Sequence, residues 1–402
     1  MMTKLNILII TNFYPPYHIG GYELACRDTV EYLLNKGHQI KVLTGNRGEN
    51  THNSEHNKSY VHRELGYIDY DNPTYRQQRQ VETANYQICQ QYINQLSPDL
   101  IYLWNQQYIS LAPSLASQHS GIAKLYEVGD FWPAAYIRPG FINALKRKLK
   151  SWLPGLIGGQ FDFGPCIACS HWFGKAIQEQ LDARDVQVIH NGTKLNSELG
   201  AELISPKKPL TSFLFCGRLC QIKGIEQCLQ AFFLLLAKMP NRHLSLTCIG
   251  PIDPEYKQFM IQEIHRLHLN KQVQILAPTD DMHSVYQQHH VLLMPTLMPE
   301  PFGLVIIEAM ANGLAVIASD RYGPAEIINQ QKLGILINPY DPQAIANAMA
   351  QLIEDPARYD EITQAGYHHV DAHFRLESVK ARVEQALLHT VKEHALCLAP
   401  NK

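Results

Sequence analysis

Three segments of the sequence join glycine with charged residues in patterns that could bind a phosphorylated or hydroxylated ligand. The first is NFYPPYHIGGYE, in which Gly20 and Gly21 lie between a predicted strand and a predicted helix. Because paired glycines lack side chains, a phosphate can approach the backbone amides that open the helix. A tight strand–helix turn also requires glycine, so this segment alone leaves both interpretations open.

The second segment, FCGRLCQIKG, has the corresponding position in the second half of the chain. Arg218 and Lys223 flank a loop that ends at a helix start, so both cations can converge on a diphosphate. Basic residues in an exposed loop are usually just solvated, and that alternative stays open for this segment taken alone.

The third segment is PEPFGLVIIEAMANGLAVIASD, in which seven residues separate Glu300 from Glu308. A carboxylate can accept two hydrogen bonds from vicinal hydroxyls, as gripping a ribose or a hexose requires. The backbone amides of Phe302, Gly303 and Leu304 would face an anionic or hydroxylated ligand at the helix N-terminus. The alternative is an amphipathic helix with one capping and one surface glutamate. Apolar neighbours of Glu308 weaken that alternative, because an unpaired carboxylate among them would be costly.

The composition excludes several classes of protein. The 402 residues include 35 Lys and Arg and 37 Asp and Glu. The resulting net charge of −2 argues against a protein that coats nucleic acid electrostatically. Hydrophobic residues at 46% and charged residues at 18% are typical of a globular chain. Nine cysteines without a disulfide framework favour a reducing compartment. The first apolar run, LNILII, is too short for a signal segment, and no stretch is long enough to span a membrane, so we expect a cytoplasmic protein.

Strand-like runs alternate with helical patterns from end to end, which predicts parallel sheets with helices on both faces. Predicted strands cover residues 5–10, 39–43, 100–103, 124–128, 166–169, 187–189, 212–216, 244–249, 273–277, 291–294, 315–318 and 334–337. Predicted helices include residues 22–35, 76–96, 109–118, 172–181, 225–238, 255–267, 303–312 and 342–354. A polar stretch, 45–72, is interpreted as an insertion or a mobile loop.

The best linker in the chain is a stretch where the alternation breaks, which contains NGTKLNSELG and SPKKP. We therefore predict an α/β protein with two doubly wound domains, residues 1–192 and 210–375, joined by a linker at 193–209. In such sheets ligands bind beyond the carboxyl ends of the strands, so the chemistry is expected in the loops there.

Several segments together resemble one family. GGYE, GRLCQIKG, EPFGLVIIEAMANGLAVIASD, YGPAEII and GILINPYDPQAIANAM, in this order and spacing, look like the retaining glycosyltransferases of family 4. The match covers nearly the whole second domain and the start of the first. It implies the GT-B fold, two Rossmann-like domains facing a cleft, with a nucleotide-sugar donor mainly on the second domain and the acceptor on the first. It also implies that the final helical stretch, 376–398, crosses back to the first domain.

The resemblance assigns roles to the residues of the second domain. Arg218 and Lys223 would hold the diphosphate and stabilise the charge of the leaving nucleotide. Glu308 would bind the nucleotide ribose, and Glu300 with the amides of residues 302–304 would hold the donor sugar. Members of the family need no divalent metal, and the sequence agrees, since it contains no metal-spaced carboxylate cluster.

In the first domain the resemblance is less complete. Gly20 and Gly21 would approach the donor phosphates, and Asp130 would act in catalysis together with the cations and Glu300 of the second domain. Relatives commonly carry a His-Asp pair at the acceptor site, where this sequence has Gly129 before Asp130. His190 stands where proline is usual, and we expect only a local effect on the linker.

The resemblance predicts a retaining glycosyltransferase, with a UDP-sugar or GDP-sugar donor, that acts on a glycan or lipid-linked acceptor in polysaccharide or envelope synthesis. Two alternatives stay open. One is a nucleotide-sugar-binding protein with little turnover, suggested by Gly129, and the other is a GT-B-like nucleotide-sugar epimerase, against which the pairing of Glu300 with Glu308 argues.

One further segment, FINALKRKLKSWLPGLIGG, has apolar residues at helical spacing beside a basic flank. Such a helix can lie on an anionic membrane surface, with aliphatic and Trp side chains inserted. Peripheral contact at the inner face of the membrane would use Phe141, Lys146, Lys148, Lys150 and Trp152. The alternative is an amphipathic helix packed on its own domain, with solvated lysines.

Overall fold

The chain divides into two compact units in a computed structural model. The structure describes residues 3–46, 58–68, 74–136, 161–196 and 210–398. Unit 1 comprises Met1–Ile189 and Lys380–Lys402, and unit 2 comprises His190–Val379. Each unit is built around its own parallel sheet, which confirms the predicted α/β class with two Rossmann-like domains.

The sheet of unit 1 has seven strands in its described part, in the order β3-β2-β1-β4-β5-β6-β7, and every pairing is parallel. The strands are β1 (Asn6–Thr11), β2 (Gln39–Gly45), β3 (Val61–Leu65), β4 (Leu100–Leu103), β5 (Ala123–Val128), β6 (Cys166–Ala168) and β7 (Val186–Val188). The central strands β1 and β4 are almost completely buried. Their runs of Ile and Leu are what a strand covered on both faces requires.

The helices of unit 1 are α1 (Gly21–Asn35), α2 (Tyr75–Leu96), α3 (Ala112–His119), α4 (His171–Leu181) and most of the C-terminal helix (Leu376–Leu398). Strand β3 corrects the interpretation of residues 45–72 as a loop or insertion. Among the described strands β3 pairs only with β2, at the edge of the sheet. An edge strand is partly exposed to water, so its sequence, VHREL, tolerates charged residues and lacks the apolar run of a central strand.

Two buried charged side chains attach the C-terminal helix to unit 1. Lys380 Nζ donates to Thr29 Oγ1 at 2.7 Å, and burial lowers the pKa of this lysine. One turn later, Glu384 Oε1 lies 3.1 Å from His38 Nε2, while His38 Nδ1 accepts from the Leu5 amide. Since Nδ1 is an acceptor, the proton is on Nε2, and the imidazole donates to the carboxylate. The spacing of four residues places both charged groups on one face of the helix.

The sheet of unit 2 has six described strands in the order β10-β9-β8-β11-β12-β13, again all parallel. They are β8 (Ser212–Cys216), β9 (Ser245–Ile249), β10 (Val273–Leu276), β11 (Val291–Met294), β12 (Ala315–Ser319) and β13 (Ile335–Ile337). The helices are α5 (Ile225–Lys238), α6 (Pro254–Arg266), α7 (Met282–Gln287), α8 (Leu304–Ala311), α9 (Tyr322–Ile327), α10 (Pro342–Glu354) and α11 (Pro356–His373). A continuous apolar core lies between this sheet and its helices.

Two predictions concern residues outside the described ranges. Most of the predicted linker, residues 197–209, lies there, and so does the basic segment with Phe141, Lys146, Lys148, Lys150 and Trp152. The membrane contact therefore stays a prediction. Among the helices that the structure describes, none combines the length and the apolar composition needed to cross a bilayer.

Candidate active site

Two loops of unit 2 lie side by side at the carboxyl edge of its sheet, one after β8 and the other after β11. A Cβ atom on Gly224 would lie 1.9 Å from the Pro295 carbonyl oxygen, and Gly224 has a φ of +81°, so only glycine fits there. The Leu297 amide donates to the Ile222 carbonyl at 3.0 Å. This close backbone contact brings the GRLCQIKG and PEPFG segments together.

Lys223 and Glu300 form an ion pair between these two loops. Their side chains are 22% and 15% exposed, so both charges are partly withdrawn from water. Arg218 is exposed at the end of β8, and no ion pair joins it to another residue in the described part of the chain. The structure thus holds Lys223 against Glu300, whereas the guanidinium of Arg218 is available to an anion.

The start of α8 is packed tightly beneath the loop that carries Glu300. The Gly323 amide donates to the Glu300 carbonyl at 3.0 Å, and a Cβ on Gly323 would lie 2.5 Å from the Phe302 Cα. Gly303 caps α8 with a φ of +105°, and Leu304 opens the helix. Phe302 and Gly303 are buried, so the backbone at this helix N-terminus is held in one place.

Glu308, one turn into α8, has a partner that the sequence did not reveal. Tyr286 of α7 donates its hydroxyl to Glu308 Oε2 at 2.7 Å. Tyr286 is buried, and burial together with the charge of Glu308 raises its pKa. The phenol therefore stays protonated and fixes the orientation of the carboxylate. No motif surrounds Tyr286, and its pairing with Glu308 depends on the fold alone.

His190 contacts the same helix start from the other side. Its ring stacks on Phe302, with centroids 5.8 Å apart and planes at 25°, and its Nε2 lies 2.7 Å from Glu326 Oε1. The sequence predicted only a local linker effect for His190. The structure gives it a further contact, because the imidazole covers the ring of Phe302. The backbone amide of the same residue is one of the predicted donor-binding amides.

In unit 1 the predicted glycines lie at the start of α1, Gly20 as its N-cap and Gly21 as its first residue. Gly20 has extended backbone with φ −163°, and no atom lies within 4 Å of the position of its missing Cβ. Its amide donates to Glu23 Oε2 at 3.0 Å, so this amide is already engaged. Gly21 is the exposed first residue of the helix. The exposed backbone at these glycines is compatible with close approach of a ligand.

Asp130 follows β5 at the carboxyl edge of the unit 1 sheet. Its Oδ1 accepts from the Trp132 amide at 2.7 Å, and the side chain is half-buried. Gly129 precedes it and packs against Tyr22 of α1. The carboxylate is thus held just beyond the carboxyl end of β5, an inner strand of the sheet.

The predicted site residues fall into two groups. Unit 2 brings together the cations, the carboxylates and the start of α8, namely Arg218, Lys223, Glu300, Phe302, Gly303, Leu304 and Glu308. Unit 1 holds Gly20, Gly21 and Asp130. Parallel strand order explains both groups, because the loops after neighbouring strands emerge at one edge of a sheet.

Comparison with known proteins bears on unit 2 and on the fold of the chain. The family model for group 1 glycosyl transferases matches residues 202–369, so unit 2 contains a group 1 glycosyl transferase domain. A D-inositol 3-phosphate glycosyltransferase of Corynebacterium urealyticum is 31% identical over 176 residues. That match covers 42% of this chain and 41% of the relative, so the chain spans less than half of that relative's length.

Two solved structures share the fold over nearly the whole chain. A glycosyltransferase from Rickettsia africae superposes with a TM-score of 0.73 at 19% identity, covering 97% of this chain and 99% of that one. HepE of Anabaena, solved in complex with UDP-glucose, superposes with a TM-score of 0.69 at 20% identity, covering 96% and 100%. The chain therefore has the fold of GT-B glycosyltransferases and carries a glycosyltransferase domain of the group 1 type.

Proposed function

We propose that this protein transfers a sugar, with retention of the anomeric configuration, from a nucleotide diphosphate-sugar to a glycan or lipid-linked acceptor in polysaccharide or envelope synthesis. The observation that carries the proposal is the set of four charged side chains at one sheet edge of unit 2. Arg218 and Lys223 match a diphosphate, whereas Glu300 and Glu308 match the hydroxyls of two sugar rings.

The ion pair of Lys223 with Glu300 suggests how the donor would enter. An incoming diphosphate carries more negative charge than one carboxylate, so it would draw Lys223 away from Glu300. The released carboxylate of Glu300 could then accept hydrogen bonds from the donor sugar. Arg218 would bind the same phosphates from the exposed side of the loop, with its planar fork of donors.

Glu308 is prepared for a ribose by its contact with Tyr286. An ionised carboxylate offers about four acceptor positions, and the Tyr286 hydroxyl uses one of them. The fixed orientation lowers the entropy cost of holding two vicinal hydroxyls. A uridine donor is favoured by HepE, whose structure contains UDP-glucose.

For the transfer step we propose front-face attack. The acceptor oxygen forms a bond to the anomeric carbon, the bond from that carbon to the diphosphate oxygen breaks, and the departing phosphate accepts the hydroxyl proton. Arg218 and Lys223 would stabilise the charge that develops on the leaving group, a task that in other enzymes a metal ion performs. No divalent metal is required in this scheme.

A nucleotide-sugar-binding protein with little turnover is the second candidate, and Gly129 beside Asp130 favours it. The two candidates differ in the release of free sugar. We would follow UDP-, GDP- and ADP-sugars by NMR, without acceptor and with EDTA present. Slow hydrolysis of one donor, with the retained anomer formed first, is expected. Saturable nucleotide binding without any release of sugar would support the binding protein instead.

A Glu308→Gln variant provides the matched control for the hydrolysis assay. It keeps the size of the side chain and removes the charge that would hold the ribose. We expect slower hydrolysis in this variant, whereas equal rates would show that the activity arises elsewhere.

A further inference from the structure

A cavity of about 450 Å³ lies in unit 2 beside strand β13. Its walls come from the segment before β13, from β13 itself, from the last turn of α10 and from the first turn of α11. This volume falls within the range of sites that bind small molecules. The cavity is therefore large enough for a ligand of its own.

The cavity lies at the edge of the sheet opposite to the candidate active site. The candidate active site follows the carboxyl ends of β8 and β11, and in a parallel sheet these ends share one edge. Residues 328–331 and Gly334 precede β13 at its amino end, and α10 returns to that end with Gln351 close to its C-terminus. A ligand in the cavity therefore does not compete with a donor for the same side chains.

Four primary amides line the cavity and form an amide cluster, Asn329, Gln330, Gln331 and Gln351. All four residues are exposed, and within the described part of the chain none of their side chains hydrogen-bonds to another protein group. A primary amide both donates and accepts hydrogen bonds, and so does a hydroxyl. The amide cluster thus matches a ligand that is rich in hydroxyls.

The charge of the cavity favours a neutral ligand. Among the described residues that line it, Arg358 alone carries a charge. Its guanidinium is paired with Glu361 at 2.6 Å and also donates to the Gln331 carbonyl. Because a carboxylate already balances this cation, a phosphate would gain little from it.

The wall that carries three of the amides is held in place by its backbone. Ile328 and Gly334 are buried, and a Cβ on Gly334 would lie 2.9 Å from the Val316 carbonyl oxygen of β12. The Leu333 amide donates to the Gln330 carbonyl at 2.9 Å. The cavity is therefore formed before a ligand arrives, which lowers the entropy cost of binding.

Strand β13 adds an apolar surface and one outward-facing peptide unit. The Asp320 amide donates to the Ile337 carbonyl at 2.9 Å, so Ile337 faces β12 and the preceding residue, Leu336, presents its N–H and C=O away from β12. Leu336 is 37% exposed and can contact the C–H face of a sugar ring. Since β13 has only three residues, an extended peptide would find a single outward residue to pair with, which argues against strand addition.

We propose that this cavity is a secondary binding site for a neutral oligosaccharide, held by the amide cluster against the side chain of Leu336. The proposal rests on the proposed function in that a glycan acceptor or product would be the ligand. A glycan chain bound here would stay attached to unit 2 while donors bind and leave at the opposite edge of the sheet.

The test uses the full-length protein and saturation-transfer NMR with maltotriose, cellotriose and mannotriose as probes. At least one trisaccharide is expected to receive saturation from the wild type, and no signal from any of them would overturn the proposal. The peptide acetyl-Thr-Val-Thr-Val-amide and inorganic phosphate, the latter followed by its phosphorus linewidth, are the comparison probes. Binding of the peptide alone would show strand addition instead, and binding of phosphate alone would show an anion site.

Variants place the signal in the cavity. Gln331→Met combined with Gln351→Met keeps side-chain length and removes two amides, so the trisaccharide signal should fall about fourfold or more. Gln343→Met is the matched control, because Gln343 lies on α10 outside the lining and should leave the signal unchanged. Asn329→Ala, in a separate segment, should lower the signal about twofold or more, and it provides the same test if the double variant unfolds. Equal signals in the wild type and these cavity variants would overturn the site.

The donor-hydrolysis assay separates this site from the proposed function. If the trisaccharide signal depends on the amide cluster but no donor is hydrolysed, the site stands and the proposed function fails. If a donor is hydrolysed but the double variant binds trisaccharides as the wild type does, the proposed function stands and the site fails.

Discussion

Arg218 and Lys223 have the same predicted role but different surroundings, and this difference gives a sharp test of the donor site. Arg218 is exposed and has no ion pair in the described part of the protein, whereas Lys223 is paired with Glu300. Arg218→Ala should therefore weaken donor binding and hydrolysis without changing the stability of the fold. Lys223→Ala should affect the donor and also leave Glu300 without its cation.

The expected losses in kcat/KM and in Tm follow from these contacts. A hydrogen bond to a charged group contributes about 1.5–3 kcal/mol, so either substitution should lower kcat/KM for donor hydrolysis by roughly 10-fold to 150-fold. The ion pair is partly exposed, so its contribution to folding is discounted to about 1 kcal/mol or less. For a unit of this size that is a fall in Tm of about 2–4 °C at most, expected for Lys223→Ala and not for Arg218→Ala.

The assay combines NMR rates of donor hydrolysis with calorimetric unfolding of the same samples. Arg218→Lys serves as the matched control, because it keeps the charge and loses the bidentate fork. We expect this control to fall between the wild type and Arg218→Ala. Near-normal kcat/KM in both alanine variants would refute the assignment of the cations. A large loss of Tm in Arg218→Ala would show that this side chain also stabilises the fold.

Two further predictions concern buried groups. Tyr286→Phe removes the hydrogen bond that orients Glu308. Nucleotide affinity measured by calorimetry should therefore fall about threefold to tenfold. An unchanged Kd would show that Glu308 does not bind the ribose. In unit 1, burial raises the pKa of Glu127 from 4.5 to about 7. Its stabilising contribution is present below pH 4.5 and is lost as pH rises through 7, a change of about 3 kcal/mol. Glu127→Gln should therefore gain stability relative to the wild type from pH 4.5 to 8 in thermal unfolding, and parallel pH profiles would contradict the buried carboxyl.

Local patterns in the sequence determined much of the fold. The apolar runs of β1 and β4 predicted buried strands because a strand covered on both faces needs apolar residues at every position. The failure at β3 has the same cause, since an edge strand with partly exposed faces carries no such run. The spacing of Glu300 and Glu308 placed one carboxylate before α8 and the other within it, as local helix geometry dictates.

The partners of these residues were decided by the tertiary structure. Lys223 meets Glu300 across 77 positions, and Tyr286 meets Glu308 across 22. Nothing in the local sequence encodes such pairs, because they depend on which strands become neighbours and on which loops then share a sheet edge. The local sequence contains the residue types, their periodicity and the spacing of residues that lie close together along the chain. Which distant side chain satisfies a buried charge, or fills the space beside Gly129, is fixed only when the sheet has formed and the core has packed.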